Sequence, residues 1–246
     1  MEGYSRQSDS NQNYSGKKDL EKNEFSLRKY NRYITNRFYK VSKTLDSPDC
    51  KVLDFGAGTG TLARLWKELT SNYPDCLEID PEFFEYLRKD SISTFTRISD
   101  IKEAYSFIYT SNVLEHIEND FETVNNLKAI LSPGGIIAVY VPAFNTLYSN
   151  LDRRVGHYRR YEKKELTKLF TSNGFKIIKC EYVDSIGFIA TLVSKVLEKI
   201  GAEITENSKS LIIYDRIVFP ISLVLDKIIF RFICGKNLFL VAQNPK

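Results

Sequence analysis

The stretch Val52-Leu53-Asp54-Phe55-Gly56-Ala57-Gly58-Thr59-Gly60 constrains this chain more than any other. An apolar, β-prone run over residues 51–55 feeds three glycines at alternate positions, and the helical pattern "TLARLWKELT" follows at once. Strand, glycine turn and helix in that order is how an open α/β sheet presents a ligand loop, because glycine lets the backbone turn sharply and approach a ligand closely. One residue does not suit a phosphate. A carboxylate at Asp54 would repel a partly desolvated pyrophosphate by, as an order of magnitude, several kcal/mol. The spacing is also GxGxG, where dinucleotide loops use GxGxxG. Asp54 suits a ligand that brings a cation to the glycines.

The pattern around that loop alternates. Strands are expected at 76–79, 93–97, 107–110, 136–141, 175–183 and 237–243, helices at 81–89, 121–131 and 162–173, and a turn at "SPGG". Upstream, Leu27, Tyr30, Ile34, Phe38, Val41 and Leu45 recur at helical spacing. Short strands interleaved with helices predict an α/β protein with a doubly wound sheet of buried parallel strands. Residues 1–24, rich in Ser, Asn, Gln and charge, are expected to be a disordered tail, which leaves 25–246 as one domain.

An apolar insertion, residues 185–235, interrupts the pattern before the last strand and is expected to be helical. "LIIYDRIVFPISLVLDKIIFRFI" is long enough to suggest a membrane span, but Asp215, Arg216, Asp226, Lys227 and Arg231 argue against one. On an ideal helical wheel these charges share one broad arc and leave the other side apolar. That side is expected to pack as a cap on the sheet or on residues 186–200. A peripheral membrane contact through 211–233 and a dimer interface stay open, and so does the choice between monomer and dimer. Pro220 is expected to kink or divide the helix.

Charge and cysteine usage narrow the class of partner. The net charge of +4, from 35 basic and 31 acidic residues, does not favour nucleic acid. Cys50, Cys76, Cys180 and Cys234 form no CxxC or Cys/His cluster, as reduced thiols in a cytoplasmic protein would not.

S-adenosylmethionine meets the requirement set by Asp54: it carries an ammonium and a sulfonium and has no phosphate. Gly56, Ala57, Gly58 and Gly60 would form its loop. "LEIDP" ends the second strand with Glu78 and Asp80, where a ribose-binding carboxylate belongs. Asp80, followed by Pro81, is the first choice at the strand tip, with Glu78 in reserve. Asp100 is placed to accept from an adenine amino group, with Ile101 packing on the ring.

"VLDFGAGTG", "LEID", "SDI", "FIYTSNVLEHI" and "LSPGGIIAVYVP" occur in the order and spacing of the class I S-adenosylmethionine-dependent methyltransferases, which this chain resembles over residues 51–142. The resemblance implies a Rossmann-like, seven-stranded sheet in the order 3-2-1-4-5-7-6, its last strand antiparallel, with S-adenosylhomocysteine as product. It also implies that Asn112 and Val113 line the methionine end of the cofactor and that residues 114–116 approach the acceptor. Some relatives use ExxEH here as metal ligands. Asn112 replaces the first Glu in this chain, so no metal is expected.

Methyl transfer to a hydroxyl needs positioning and a general base. The two histidines, His116 and His157, are the candidates. His157 lies in "LYSNLDRRVGHYRRYEKKEL", whose arginines suit an anionic or sugar-bearing acceptor or else a solvated charged loop. That segment, with "YNRY" upstream, is similar to a bacterial methyltransferase subgroup associated with glycosyltransferases and polysaccharide biosynthesis. The similarity implies a saccharide or lipid-linked saccharide acceptor touched by Tyr30, Tyr33, Glu115, Arg154, Tyr158, Arg159 and Arg160. The expected function is O-methylation of a small molecule or saccharide. An RNA methyltransferase and a non-catalytic protein that kept the fold are the rivals.

Overall fold

A computed structural model describes residues 24–45, 50–200 and 208–246. The expected N-terminal tail lies outside the described residues apart from Glu24. Helix α1 (Arg28–Ser42) buries Ile34, Phe38 and Val41 at the spacing that the sequence shows. Strand β1 (Val52–Phe55) follows and leads through the glycines into α2 (Thr61–Thr70). Then come β2 (Asp75–Leu77), α3 (Pro81–Lys89), the short β3 (Thr94–Phe95), β4 (Tyr105–Ser111), α4 (Asp120–Ala129) and β5 (Leu131–Pro142). A short helix α5 (Asn150–Arg154), α6 (Lys163–Ser172), β6 (Lys176–Val183) and the final β7 (Asn237–Gln243) complete the sheet and its covering helices.

The strands form one seven-stranded sheet in the order β3-β2-β1-β4-β5-β7-β6. Strands β1 to β5 pair in parallel, and β7 runs antiparallel between β5 and β6. The chain winds outward from β1 in one direction and from β4 in the other. The carboxyl ends of these two strands therefore flank the crevice where ligands bind in such sheets. Leu53, Ile108, Ile137 and Leu240 anchor the core on one face of the sheet, and Phe38, Trp66, Phe107 and Phe239 anchor it on the other.

Two expectations change at this level. "SPGG" is not a separate turn: it opens β5 as an irregular start, with Gly134 at φ +78° and a register shift against β4 between Tyr105 and Phe107. Gly134 N–H donates to Asn244 O and Asn244 N–H donates to Gly135 O across this start, so the C-terminal segment holds it extended.

The insertion is helical, but its acidic side chains turn inward. It comprises α7 (Ser185–Lys199) and a second helical run of α8 (Ser208–Ile213), a π turn (Tyr214–Val218), α9 (Phe219–Leu225), another π turn (Asp226–Phe230) and α10 (Arg231–Ile233). Pro220 does not divide this run, since the wide π turn before it gives the ring room and relieves its missing N–H. Asp215 and Asp226 face inward, beside Phe219 and Ser222. Asp215 accepts from the backbone N–H groups of Lys29 and Tyr30 at 3.0 and 2.8 Å, in the first turn of α1. Asp226 accepts from Asp184 and Ser185 at 2.6 and 3.1 Å, at the start of α7. These carboxylates satisfy helix N–H groups that have no partner within their own helices. Phe219 and Leu223 pack against the core and the run is tied to α7, while the two acids serve as caps and much of the apolar face is left outside.

Candidate active site

The glycine loop rests on the end of β2. Gly56 and Ala57 donate to Leu77 O at 2.8 and 3.2 Å, and Gly58 N–H donates to the Glu78 carboxylate at 2.7 Å. Gly56 has φ +79°, and a Cβ there would fall 2.8 Å from Val113 Cγ1 and closer still to Cγ2. Only glycine fits a left-handed position under such a contact. Val113 thereby joins the loop to the turn after β4.

Asp54 is buried beneath the loop, and its Oδ2 has no hydrogen-bond partner. Desolvation pushes its carboxyl up to about 8; the neighbouring Tyr109 hydroxyl opposes the rise and Glu78 adds to it. An orphaned buried carboxylate under a glycine loop fits a cationic ligand, because a positive charge nearby favours its ionised form.

The two carboxylates after β2 have separate roles. Glu78 is buried, accepts from Gly58, Ile79 and Asp80 N–H, and lies against the loop. Asp80 accepts from Glu82 N–H at 3.0 Å and caps α3, with Pro81 in the first turn. The residue facing the loop is therefore Glu78, the reserve choice. Asp100 is exposed and pairs with Arg97 at 3.6 Å, while Ile101 is buried in the core. Asn112 is exposed at the end of β4 with φ +55°, and its side chain donates to Ser111 Oγ.

The histidines meet. His116 and His157 pack edge to face with ring centroids 4.5 Å apart. His157 Nδ1 lies 2.7 Å from Asp152 Oδ1. The same oxygen accepts from Arg160 Nε at 2.8 Å, and Oδ2 accepts from Ser149 N–H at 2.9 Å. Although burial opposes it, these donors hold the Asp152 carboxyl well below the usual carboxylate range. An ionised carboxylate can only accept, so Nδ1 carries the proton and Nε2 presents its lone pair. Nε2 stands 4.0 Å from Glu115 Oε1. Glu115 is buried, neither of its oxygens has a partner, and desolvation pushes its carboxyl up to about 8.

The acceptor residues expected from the sequence separate into two groups. Arg160 is buried and held by Asp152, with a weaker contact to Ala143 O. Arg159 pairs with Asp120 at 3.0 Å and donates to Glu118 O. Tyr30 is packed against Tyr140 and Phe219 and accepts from Asn237, and Tyr33 packs on Phe219 and accepts from Arg37. All four side chains are engaged by partners within the fold. Arg154 and Tyr158 are exposed on the segment that carries His157.

The residue that sequence reasoning did not assign to the site is Asp152, which holds the His157 ring. Its signal was local: Ser149 and Asp152 have capping-box spacing, which turns the carboxylate back over the start of α5. Glu115, His116 and His157 also bring potential metal-ligating atoms within 4.8 Å of one another, a donor set that Asn112 had argued against. A cleft of about 360 Å³ lined by Tyr39, Trp66 and Tyr73 lies at the opposite edge, beside the starts of β1 and β2.

A family model described as a methyltransferase domain matches residues 24–179. No curated protein matches the sequence significantly. Among solved structures, a SAM-dependent methyltransferase from Archaeoglobus fulgidus superposes with a TM-score of 0.59 at 14% identity, over 92% of this chain and 99% of that one. Phosphoethanolamine N-methyltransferase 2 of Haemonchus contortus, in complex with S-adenosyl-L-methionine, gives 0.55 at 15% identity over 86% and 53%. The cyclopropane synthase MmaA2 from Mycobacterium tuberculosis gives 0.54 at 11% identity over 85% and 83%. With its glycine loop, orphaned Asp54 and this strand order, the chain belongs to the methyltransferase-domain family and is an S-adenosylmethionine-dependent methyltransferase.

Proposed function

We propose that this methyltransferase methylates a hydroxyl of a small-molecule or saccharide acceptor, free or lipid-linked, with His157 as general base. The observation that carries the reading is the Asp152–His157 hydrogen bond of 2.7 Å, which fixes the imidazole with Nε2 free to take a proton. S-adenosylmethionine, when bound, supplies an electrophilic methyl group on a sulfonium that leaves as a neutral thioether. Asp54, Gly56, Gly58, Glu78, Asp100, Asn112 and Val113 would hold it. His157 Nε2 takes the hydroxyl proton as the acceptor oxygen bonds to the methyl carbon. Asp152 stabilises the imidazolium that results, as a carboxylate behind a catalytic histidine does.

Arg154 and Tyr158, exposed beside His157, are the side chains available to an anionic or sugar-bearing acceptor. A nucleic-acid acceptor finds less support, since Arg159 and Arg160 are paired within the fold.

The test is transfer of labelled methyl groups to a panel of free and lipid-linked saccharides by the wild type and by His157→Ala and His116→Ala. Turnover lost in His157→Ala alone, with cofactor binding retained, supports the reading. Full turnover in His157→Ala overturns it. A chelator separates one further case: turnover lost on chelation and restored by a divalent cation would make His157 a ligand and not a base.

A further inference from the structure

On the run 208–233, Ile213, Ile217, Ile221, Val224, Ile228 and Phe232 are between 51% and 72% exposed. They recur every three or four positions and so form one stripe along the outer side. On the neighbouring helix α7, Ile189, Leu192, Val193 and Val196 are exposed as well. The two helices pack together, tied by Ile186 N–H to Ser222 Oγ at 3.0 Å and by Ser185 N–H to Asp226. Scattered apolar residues on a surface are ordinary, but two adjoining apolar stripes are not.

The charges on the same run are sorted by sign. Asp215 and Asp226 are turned inward as helix caps, whereas Lys209, Arg216, Lys227 and Arg231 are exposed. Every exposed charged side chain of this run is therefore basic. Among the described residues no helix is long and apolar enough to cross a membrane. We propose that this face docks on an anionic phospholipid bilayer, with the apolar stripe at the boundary between headgroups and acyl chains and the basic side chains against the headgroups.

A second copy of the chain fits the face less well. A two-fold contact sets a patch on itself, which would bring the four basic side chains of one copy against the same four of the other. An anionic lipid surface neutralises them instead. Docking also has a place in the architecture. Phe188 of α7 packs edge-on to Phe144 at 5.1 Å between centroids, and Lys195 donates to Thr146 O. Helix α7 is thus fixed to the segment after β5 that leads to Asp152 and His157. The docking stands independently of which acceptor is methylated.

The full chain is cosedimented with phosphatidylcholine vesicles and with vesicles that also contain phosphatidylglycerol, at low and high salt. The wild type is expected to pellet with the anionic vesicles at low salt and at least about tenfold less with phosphatidylcholine alone. Ile221→Glu/Ile228→Glu and Arg216→Glu/Lys227→Glu should each lower binding roughly tenfold or more. Unchanged melting temperature and unchanged S-adenosylhomocysteine binding show that both variants remain folded. Absence of wild-type binding to anionic vesicles overturns the proposal, as does binding that the isoleucine variant leaves intact. A lipid-free dimer that Ile221→Glu/Ile228→Glu converts to monomer would also overturn it, because the face would then be an interface between copies.

Discussion

Asp152 holds His157 and Arg160 through one oxygen: Oδ1 lies 2.7 Å from His157 Nδ1 and 2.8 Å from Arg160 Nε. The arginine that looked like an acceptor ligand is the second support of the carboxylate that orients the histidine. The orientation of the proposed base therefore depends on a pair that is buried within the protein.

His157→Ala should lower methyl transfer roughly 10²–10⁴-fold, the usual contribution of a general base. The affinity for S-adenosylhomocysteine, measured by calorimetry, should hold. Arg160→Leu should instead act through the fold, since breaking a buried ion pair by removing one partner costs about 3–5 kcal/mol. A fall in melting temperature larger than that of His157→Ala would show it.

The two orphaned carboxyls should make the cofactor-free protein less stable as pH rises. Asp54 and Glu115 go from ordinary values of 3.8 and 4.5 to about 8 on folding. Between those limits the folded chain binds more protons than the unfolded one. The stability they lend is whole below about pH 4 and is withdrawn as pH climbs towards 8. Thermal melts from pH 5 to about pH 8.5 should show the decline, and Glu115→Gln should flatten it. Asp54→Asn should flatten it too while weakening cofactor binding, a split that a purely structural residue would not give.

Glu78 and Asp80 can be told apart directly. Glu78→Gln should weaken S-adenosylmethionine binding roughly tenfold, the scale of a hydrogen bond to a charged group. Asp80→Ala should leave affinity nearly unchanged and cost about 0.5–2 kcal/mol of stability through the lost cap of α3. The reverse pattern in calorimetry and melting would assign the ribose to Asp80 and not to Glu78.

Gly56→Ala should be severe for two reasons, the left-handed φ of +79° and the collision with Val113. Loss of more than about 1 kcal/mol is expected, together with loss of cofactor binding. Adding Val113→Ala should recover part of the stability, because it removes the collision but not the backbone strain. No recovery would mean that backbone strain alone sets the cost.

The fold class and the cofactor were legible in the sequence because their signals are local. A strand ending in GxGxG, a carboxylate two residues before it and the alternation of periods need only neighbouring residues to be read, and α2, α3 and β7 lie where the sequence puts them. The strand order required the family resemblance, since no local pattern says which strands pair. Three matters were decided by tertiary structure alone. Which carboxylate of "LEID" meets the loop depends on how β2 ends against β1, and the side chain that reaches Gly58 is Glu78. Arg160 is buried because folding brings residues 152 and 160 against one another, although composition marks it as a surface charge. The helical run 208–233 turns its acids inward because two π turns shift a wheel drawn at 3.6 residues per turn, and because buried N–H groups at the starts of α1 and α7 require acceptors. Local sequence sets what each segment can form; the partners that satisfy its buried polar groups exist only once the chain has folded.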